Sequence, residues 1–394
     1  MGRGAGRGQF VEGHWKADFA RAAGRSSAAR RYFAYVPANI AEREPELSAG
    51  TAALAERAGR AVLGLNNQGR ELDSLEGLGR QLLRSEALAS SQIEGLHLSH
   101  RRLAEAALDD HGTYEAQEIL ANMKAMKKAV EVGTQAEPLT RSDIAEIHRE
   151  LALVPPLDRI AGQFRDDQGW IGGVAPPDAD YVGPPAEHVL PLVDDLCEFM
   201  NRDDISPVVQ AAVAHAQFEL IHPFGDGNGR VGRCLIHVLL RKRQLATQYV
   251  PPVSLVFGAN KDAYIAGLNR FQEDELDIWV EQFSRALETS VAKAEDFTTS
   301  VADLQTTWRT QLGSVRSDAV ALTLINQLPS FPYITVKVGQ QLTDRSQPAV
   351  SRGLAQLEEA GVLTRHRNRK KGDSWEAKGL FRLLDQFEAS VSAA

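Results

Sequence analysis

The stretch that most constrains what this chain can fold into runs His222-Pro223-Phe224-Gly225-Asp226-Gly227-Asn228-Gly229-Arg230-Val231-Gly232-Arg233. Glycines at 225, 227 and 229 allow a tight backbone turn and bring N–H groups close to a ligand. The apolar positions that follow, Val231, Cys234, Leu235, Val238 and Leu239, have the spacing of an amphipathic helix. Upstream, Ser206-Pro207 reads as a cap with proline at the first helical position, followed by the helical period of Val209, Val213, Ala216 and Leu220. Helix, glycine-rich loop, helix is the expected local architecture. No Gly-Lys-Ser/Thr follows, which excludes a Walker loop, and no β-branched strand precedes it, which excludes a Rossmann turn.

The residue types in the loop point to phosphate chemistry. Backbone N–H groups at a helix N-terminus favour an anion. Asp226 supplies a carboxylate of the kind that holds Mg²⁺ beside phosphates. Arg230 and Arg233 offer forks that suit phosphate oxygens, and His222 titrates near neutrality and can serve as a base. The expected substrate class is a nucleotide.

Residues 222–233 match the H-x-F-x-[D/E]-G-N-G-R-x-x-R signature at every fixed position, and on these residues the chain resembles Fic-domain proteins. The resemblance implies a protein adenylyltransferase that moves AMP from ATP, with Mg²⁺, to a Ser, Thr or Tyr hydroxyl of a target protein or of itself. It implies His222 as general base, Asp226 as the metal ligand, and Gly225, Gly227, Asn228 and Gly229 as the phosphate cradle, with Asn228 on the α-phosphate. Arg230 would help hold the phosphates, Arg233 would fix the γ-phosphate, and Phe224 would anchor the loop by packing. Tyr264 is expected near the adenine. Gln272 stands where relatives carry an asparagine, which leaves base preference open. Transfer of another phosphate-containing group, or removal of AMP, is an alternative for the same site. A nucleotide-sensing, DNA-binding regulator is the alternative from another class.

A second motif lies upstream. A helical pattern with Leu75, Leu78, Leu82, Ala89 and Ile93 stops at Gly95, a natural residue to follow a helix end. Glu94 then sits at the negative end of the helix dipole, an unfavourable place by roughly 0.3–1 kcal/mol. Ser90 is one turn earlier. Ser90-x-x-x-Glu94-Gly95 resembles the [S/T]-x-x-x-E-[G/N] inhibitory motif of the same family, in which the glutamate competes with the γ-phosphate for the last signature arginine, here Arg233. The stretch Trp170-Ile171-Gly172-Gly173, with Tyr181-Val182 after a Pro/Asp turn, reads as two short strands and resembles the family's target-gripping flap. His148 and His215 are expected to be structural.

The fold class expected is mainly α: a Fic (Fido) helical domain with a small β-hairpin flap, an N-terminal helical inhibitory segment and a C-terminal winged helix-turn-helix. The boundaries expected are a flexible N-terminus at 1–30, a helical region with the inhibitory motif at 31–125, the catalytic domain at 126–292 and the winged helix at 300–394. Within the last, helices at 318–328 and 338–342 precede one opening at Ser346 and continuing through Leu363, followed by a basic hairpin with Arg365, Arg367, Arg369, Lys370 and Lys371. Ser351, Arg352 and that wing make DNA a candidate partner. A net charge of −8 argues against the whole chain being a nucleic-acid or membrane binder. No apolar run approaches the roughly 18 residues of a membrane span, and the first residues lack the apolar core of a signal peptide, so a cytoplasmic protein is expected. Cys197 and Cys234 fall in apolar helical contexts and are expected to be buried thiols. The sequence leaves a homodimer open.

Overall fold

The computed structural model describes residues 7–15, 29–68, 75–108, 112–316, 319–367 and 372–392. In chain order its elements are β1 (Gln9–Trp15), β2 (Arg30–Val36), α1 (Ala49–Gln68), α2 (Leu75–Ile93), α3 (His100–Ala106), α4 (Tyr114–Val132) and α5 (Arg141–Leu151). There follow β3 (Trp170–Ile171), β4 (Tyr181–Val182), α6 (Ala186–Met200), α7 (Pro207–Ile221), α8 (Asn228–Lys242), α9 (Val253–Ala259), α10 (Lys261–Gln272) and α11 (Leu276–Leu312). The C-terminal elements are α12 (Val320–Gln327), β5 (Tyr333–Thr335), α13 (Val336–Thr343), α14 (Gln347–Glu359), β6 (Leu363–His366), β7 (Ser374–Ala377) and α15 (Leu380–Ser392). Among the described residues no helix is long and apolar enough to cross a membrane. The chain divides into two compact units.

The first unit comprises Met1–Gly59, Lys124–Leu245 and Asp262–Arg285. Its centre is α7, whose alanines and valines are buried on every side, the pattern of a helix enclosed by others. It packs on α6 and α8, and Trp279 Nε1 donates to Ala212 O at 2.8 Å. Gly232 of α8 permits a close approach to α7, because a Cβ there would lie 2.4 Å from Glu219 Oε1. Thr140 opens α5 as expected, its N–H donating to Asp143 Oδ2 at 2.8 Å. Ser206, expected to cap α7, makes no side-chain cap bond, and Pro207 alone marks that start. Cys197 and Cys234 are buried and form no disulfide; burial and nearby carboxylates push the Cys197 thiol up to about 12.

Two expectations about this unit need correction. Part of the segment expected to be flexible is a strand, since β1 pairs antiparallel with β2 from Gln9↔Val36 to Trp15↔Arg30. The hairpin is held by contacts that composition does not reveal: Trp15 meets Trp170 edge-on at 5.5 Å, and Arg30 bonds both Asp178 oxygens at 2.7 and 2.6 Å. Residues 1–6 and 16–28 lie outside the described residues. The apolar period of Tyr264, Leu268, Phe271, Ile278, Trp279 and Phe283 predicts one helix over 260–287, but the chain is broken there between α10 and α11. Asp274 there takes a left-handed conformation at φ 67° and pairs with Arg43 at 2.5 Å, a long-range contact without a glycine or proline to announce it.

The second unit comprises Arg60–Met123, Ala246–Lys261 and Ala286–Ala394. The helix leading to Glu94 belongs to it together with the C-terminal hundred residues. Glu86 of α2 accepts from Ser254 N at 2.8 Å and Ser254 Oγ at 2.6 Å, while Gln92 Nε2 donates to Glu388 Oε1 at 2.7 Å. α3 is tied to the small sheet by an Arg101–Glu376 ion pair. That sheet has the antiparallel order β5-β7-β6, with α12, α13 and α14 packed on one another. Leu363, expected to extend α14, belongs to β6, since Gly361 at φ 76° ends the helix first. Of the basic wing, Arg365 and Arg367 are described, whereas Arg369, Lys370 and Lys371 lie outside the described residues.

Candidate active site

The loop between α7 and α8 lies wholly in the first unit. His222 is the C-cap of α7 and adopts a left-handed conformation, φ 50° and ψ 58°, with its N–H on Phe218 O at 2.9 Å. This turn ends α7 and starts the reversal of the chain into α8. Of the three loop glycines only Gly227 needs positive φ, at 79°, and there a Cβ would also approach Leu151 Cδ2 at 2.8 Å. Gly227 is the N-cap of α8, so the N-terminal N–H groups of that helix belong to the 227–230 turn.

Phe224 is the packing anchor expected. Its ring stacks on His148 at 3.8 Å and 7°, and on Phe164 at 4.9 Å and 15°. Asn228 braces the loop from within. Its side chain is buried, Oδ1 accepts from Phe224 N and Nδ2 donates to Phe224 O, both at 2.8 Å. The carboxamide thus staples the loop. Asp226 is 56% exposed, accepts from Gly227 N at 2.5 Å and lies 3.6 Å from the Arg230 guanidinium. Arg230 and Arg233 are both nearly buried, 4% and 1% exposed, which places two cations beneath a helix N-terminus. Among the described residues no cluster of three or more His, Cys, Asp or Glu could hold a metal alone. Mg²⁺ does not require one: a single exposed carboxylate, phosphate oxygens and water complete its shell, and Asp226 fits that arrangement.

His148 holds the loop from the side. Gly162 N donates to its Nδ1 at 2.9 Å, so Nε2 carries the proton and donates to Asp226 O at 3.1 Å. Burial, with the Arg230 and Arg149 charges, lowers its pKa to about 4 and keeps the ring neutral. Sequence reasoning treated this residue as structural and missed its grip on Asp226. Arg165, ahead of the β3–β4 hairpin, donates from Nε to His222 O at 2.7 Å.

Tyr264 is brought to α7 but lies inside. Its hydroxyl meets His215 Nε2 at 2.9 Å, and it is buried against His215 and Trp279. Burial, followed by the Arg233 charge, lowers the His215 pKa to about 3; Glu219 lies 4.0 Å away, and His237 adds a weaker repulsion. Because the unfolded value is about 6.5, the unfolded chain binds this proton first as pH falls. Stability attributable to His215 is therefore complete above that value and falls progressively as pH drops below it, by on the order of 1 kcal/mol per pH unit. Urea denaturation at these pH values checks this: His215→Gln should flatten the pH dependence, and an unchanged slope in the variant would refute the assignment.

The two short strands expected here form a hairpin. β3 pairs with β4 through Trp170↔Val182 and Ile171↔Tyr181, and Gly172 and Gly173 turn the chain at φ 73° and 62°. Ile171 and Val174 are exposed. Ser90 and Glu94 belong to the other unit. There α2 ends in a Schellman turn: Leu96 N bonds Ser91 O at 3.0 Å, Gly95 N bonds Gln92 O at 2.9 Å, and Gly95 takes φ 88°. Glu94 is the exposed C-cap and Ser90 is buried.

Comparison with known proteins agrees with this geometry. Residues 138–240 match the Fic/DOC family and residues 52–131 match the Fic/DOC family N-terminal region. "Protein adenylyltransferase Fic" of Drosophila erecta is 35% identical over 149 residues, 37% of this chain and 28% of the relative. "Protein adenylyltransferase fic-1" of Caenorhabditis elegans is 29% identical over 161 residues, 40% of this chain and 29% of the relative. The chain thus matches less than a third of the length of either relative. A Fic family protein from Desulfovibrio desulfuricans G20 superposes with a TM-score of 0.52 at 22% identity, over 86% of this chain and 98% of the other. Fic-1 (aa134–508) from C. elegans gives a TM-score of 0.50 at 22% identity, over 63% of this chain and 74% of the other.

Proposed function

The chain carries a Fic/DOC family domain, and from that premise we propose that it is a protein adenylyltransferase that transfers AMP from ATP to a hydroxyl side chain of a protein. The observation that carries the reading is the 222–233 segment, where a half-buried histidine, a helix N-terminus, two buried guanidiniums and one exposed carboxylate follow one another within twelve residues.

In this reading His222 takes the proton of the target hydroxyl as its oxygen attacks the α-phosphorus, and the bond to the β-phosphate oxygen breaks, releasing pyrophosphate. The N–H groups at the start of α8 bind the phosphates. Arg230 assists them, and Arg233 fixes the γ-phosphate. Asp226 would hold Mg²⁺, which neutralises phosphate charge when bound. Positioning and charge neutralisation carry most of the rate, since little covalent work falls to the protein. Tyr264 supports the base-binding region from within, and the β3–β4 hairpin offers a strand edge to the target. Glu94 competes with the γ-phosphate for Arg233 and so restrains the reaction. Incorporation of α-labelled ATP into protein tests the whole; absence of label in the Glu94→Gly chain, with pyrophosphate release also absent, would remove the assignment.

The C-terminal order α12-β5-α13-α14-β6-β7 supports a winged-helix reading, with α14 as the recognition helix. Arg352 and Gln356 are exposed on α14, and Arg367 is exposed at the hairpin. For contact with DNA phosphates, an Arg352→Ala/Arg367→Ala variant is expected to bind more weakly and to reduce the slope of log K against log salt by about 2. Gel shifts across a salt titration measure this, and an unchanged slope argues for a protein partner.

A further inference from the structure

Arg165 is 7% exposed, and its whole fork is bonded to main-chain carbonyls. Nε donates to His222 O at 2.7 Å, Nη1 to Asp167 O at 2.6 Å, and Nη2 to Pro184 O at 2.7 Å and Ile221 O at 3.3 Å. Its own N–H donates to Pro223 O at 2.9 Å, next to the Phe164↔Phe224 bridge. No carboxylate lies within ion-pair distance of it among the described residues, and burial lowers its pKa. A buried cation whose every hydrogen bond goes to a carbonyl, with the Asp167 charge acting only from beyond ion-pair distance, is an expensive way to fill space. Two of those carbonyls, on Ile221 and His222, are orphan groups at the C-terminus of α7, where a cation is favoured. Room for the fork is made by glycines: a Cβ on Gly169 would lie 2.8 Å from Nε, and one on Gly183 would lie 3.3 Å from Nη2 and 3.6 Å from His222 Cβ.

The bonds join two parts of the site. Ile221, His222 and Pro223 form the turn that presents the imidazole, and Pro184 directly follows the return strand of the β3–β4 hairpin. Pro184 and its neighbours also meet the hairpin through Gln168, whose Nε2 donates to Gly183 O at 2.7 Å. We propose that Arg165 is a positioning residue which fixes the left-handed His222 backbone and locks it to the hairpin, so that a polypeptide lying on β3–β4 and the base are held in one frame. The inference rests on reading His222 as the base. Arg165 touches no reacting atom; it acts through the carbonyls it holds. Lysine keeps the charge at this position, but its single ammonium cannot span His222 O and Pro184 O in the fixed geometry of the fork.

The experiment uses the full chain with Glu94→Gly, and compares Arg165→Lys, Gly183→Ala and His222→Ala by steady-state AMP transfer from labelled ATP, with thermal unfolding of each. A misplacement of the base by a fraction of an ångström to an ångström lowers kcat by about tenfold to a hundredfold. Arg165→Lys is expected to lose that much kcat while the KM for ATP stays within about threefold, since the α8 N-terminus is untouched. Gly183→Ala keeps the arginine and crowds its fork, so it remains informative if Arg165→Lys fails to fold; it should show the same split with a smaller loss. Unchanged kcat in a folded Arg165→Lys or Gly183→Ala chain overturns the proposal, as does a parallel loss of kcat and ATP affinity. If His222→Ala is inactive while the other two match their parent, the base reading stands and Arg165 positioning fails. If His222→Ala remains active, the base reading fails and takes the proposal with it.

Discussion

In the Glu94→Gly chain, His222→Ala should lower AMP transfer by about 10²–10⁴-fold, the usual contribution of a positioned general base. The loss should fall on chemistry and not on the fold. His222 ends α7 through its backbone N–H, and its carbonyl is held by Arg165 Nε at 2.7 Å. Neither bond involves the imidazole, so both survive truncation. Histidine already carries the strain of a left-handed residue at φ 50°, so alanine adds little to it. The phosphate-binding groups at the start of α8 are unchanged, so ATP should still bind with similar affinity. The measurement is initial-rate incorporation of α-labelled AMP beside isothermal titration with ATP. Transfer within about tenfold of the parent would remove His222 as base. Loss of ATP binding in step with the rate would instead give the residue a binding role.

How much of this was legible in the sequence depends on how local each signal is. The helix–loop–helix around 222–233 was readable because its caps, glycines and apolar period all lie within the segment. The same holds for α4 and for the Schellman end of α2, which Gly95 announces. Other features are set by partners far along the chain. β1 becomes a strand through Trp170 and Asp178, and the break before α11 is fixed by Arg43. The loop was read at the level of residue type, which does not tell how each residue is used: Gly225 does not use positive φ, and the Asn228 amide is engaged with Phe224. Arg165 and His148 left no pattern to find, because their function lies in carbonyls contributed by other segments. The grouping of α2 with the C-terminal hundred residues was hidden for the same reason.

Glu94→Gly should raise self-labelling by one to two orders of magnitude, because it removes one of two anions that compete for one cation. Arg233 is 1% exposed at the second turn of α8. A guanidinium so placed gains most from an anion that reaches it, and in this reading two anions contend: the Glu94 carboxylate and the γ-phosphate. Removing an intramolecular competitor worth about 1.4–2.8 kcal/mol raises the productive fraction about tenfold to a hundredfold. The fold should tolerate the change. Glu94 is the C-cap of α2, where a carboxylate faces the negative end of the dipole and glycine is readily accommodated. Glu94→Gln separates charge from bulk, because it keeps the length of the side chain and removes the anion; if competition is electrostatic, it should activate nearly as well. Arg233→Ala in the Glu94→Gly chain should return labelling to a low level, since the γ-phosphate then loses its anchor. Equal labelling by wild type, Glu94→Gly and Glu94→Gln would end the autoinhibition reading. Activation by glycine alone would make the restraint steric and leave Arg233 out of it.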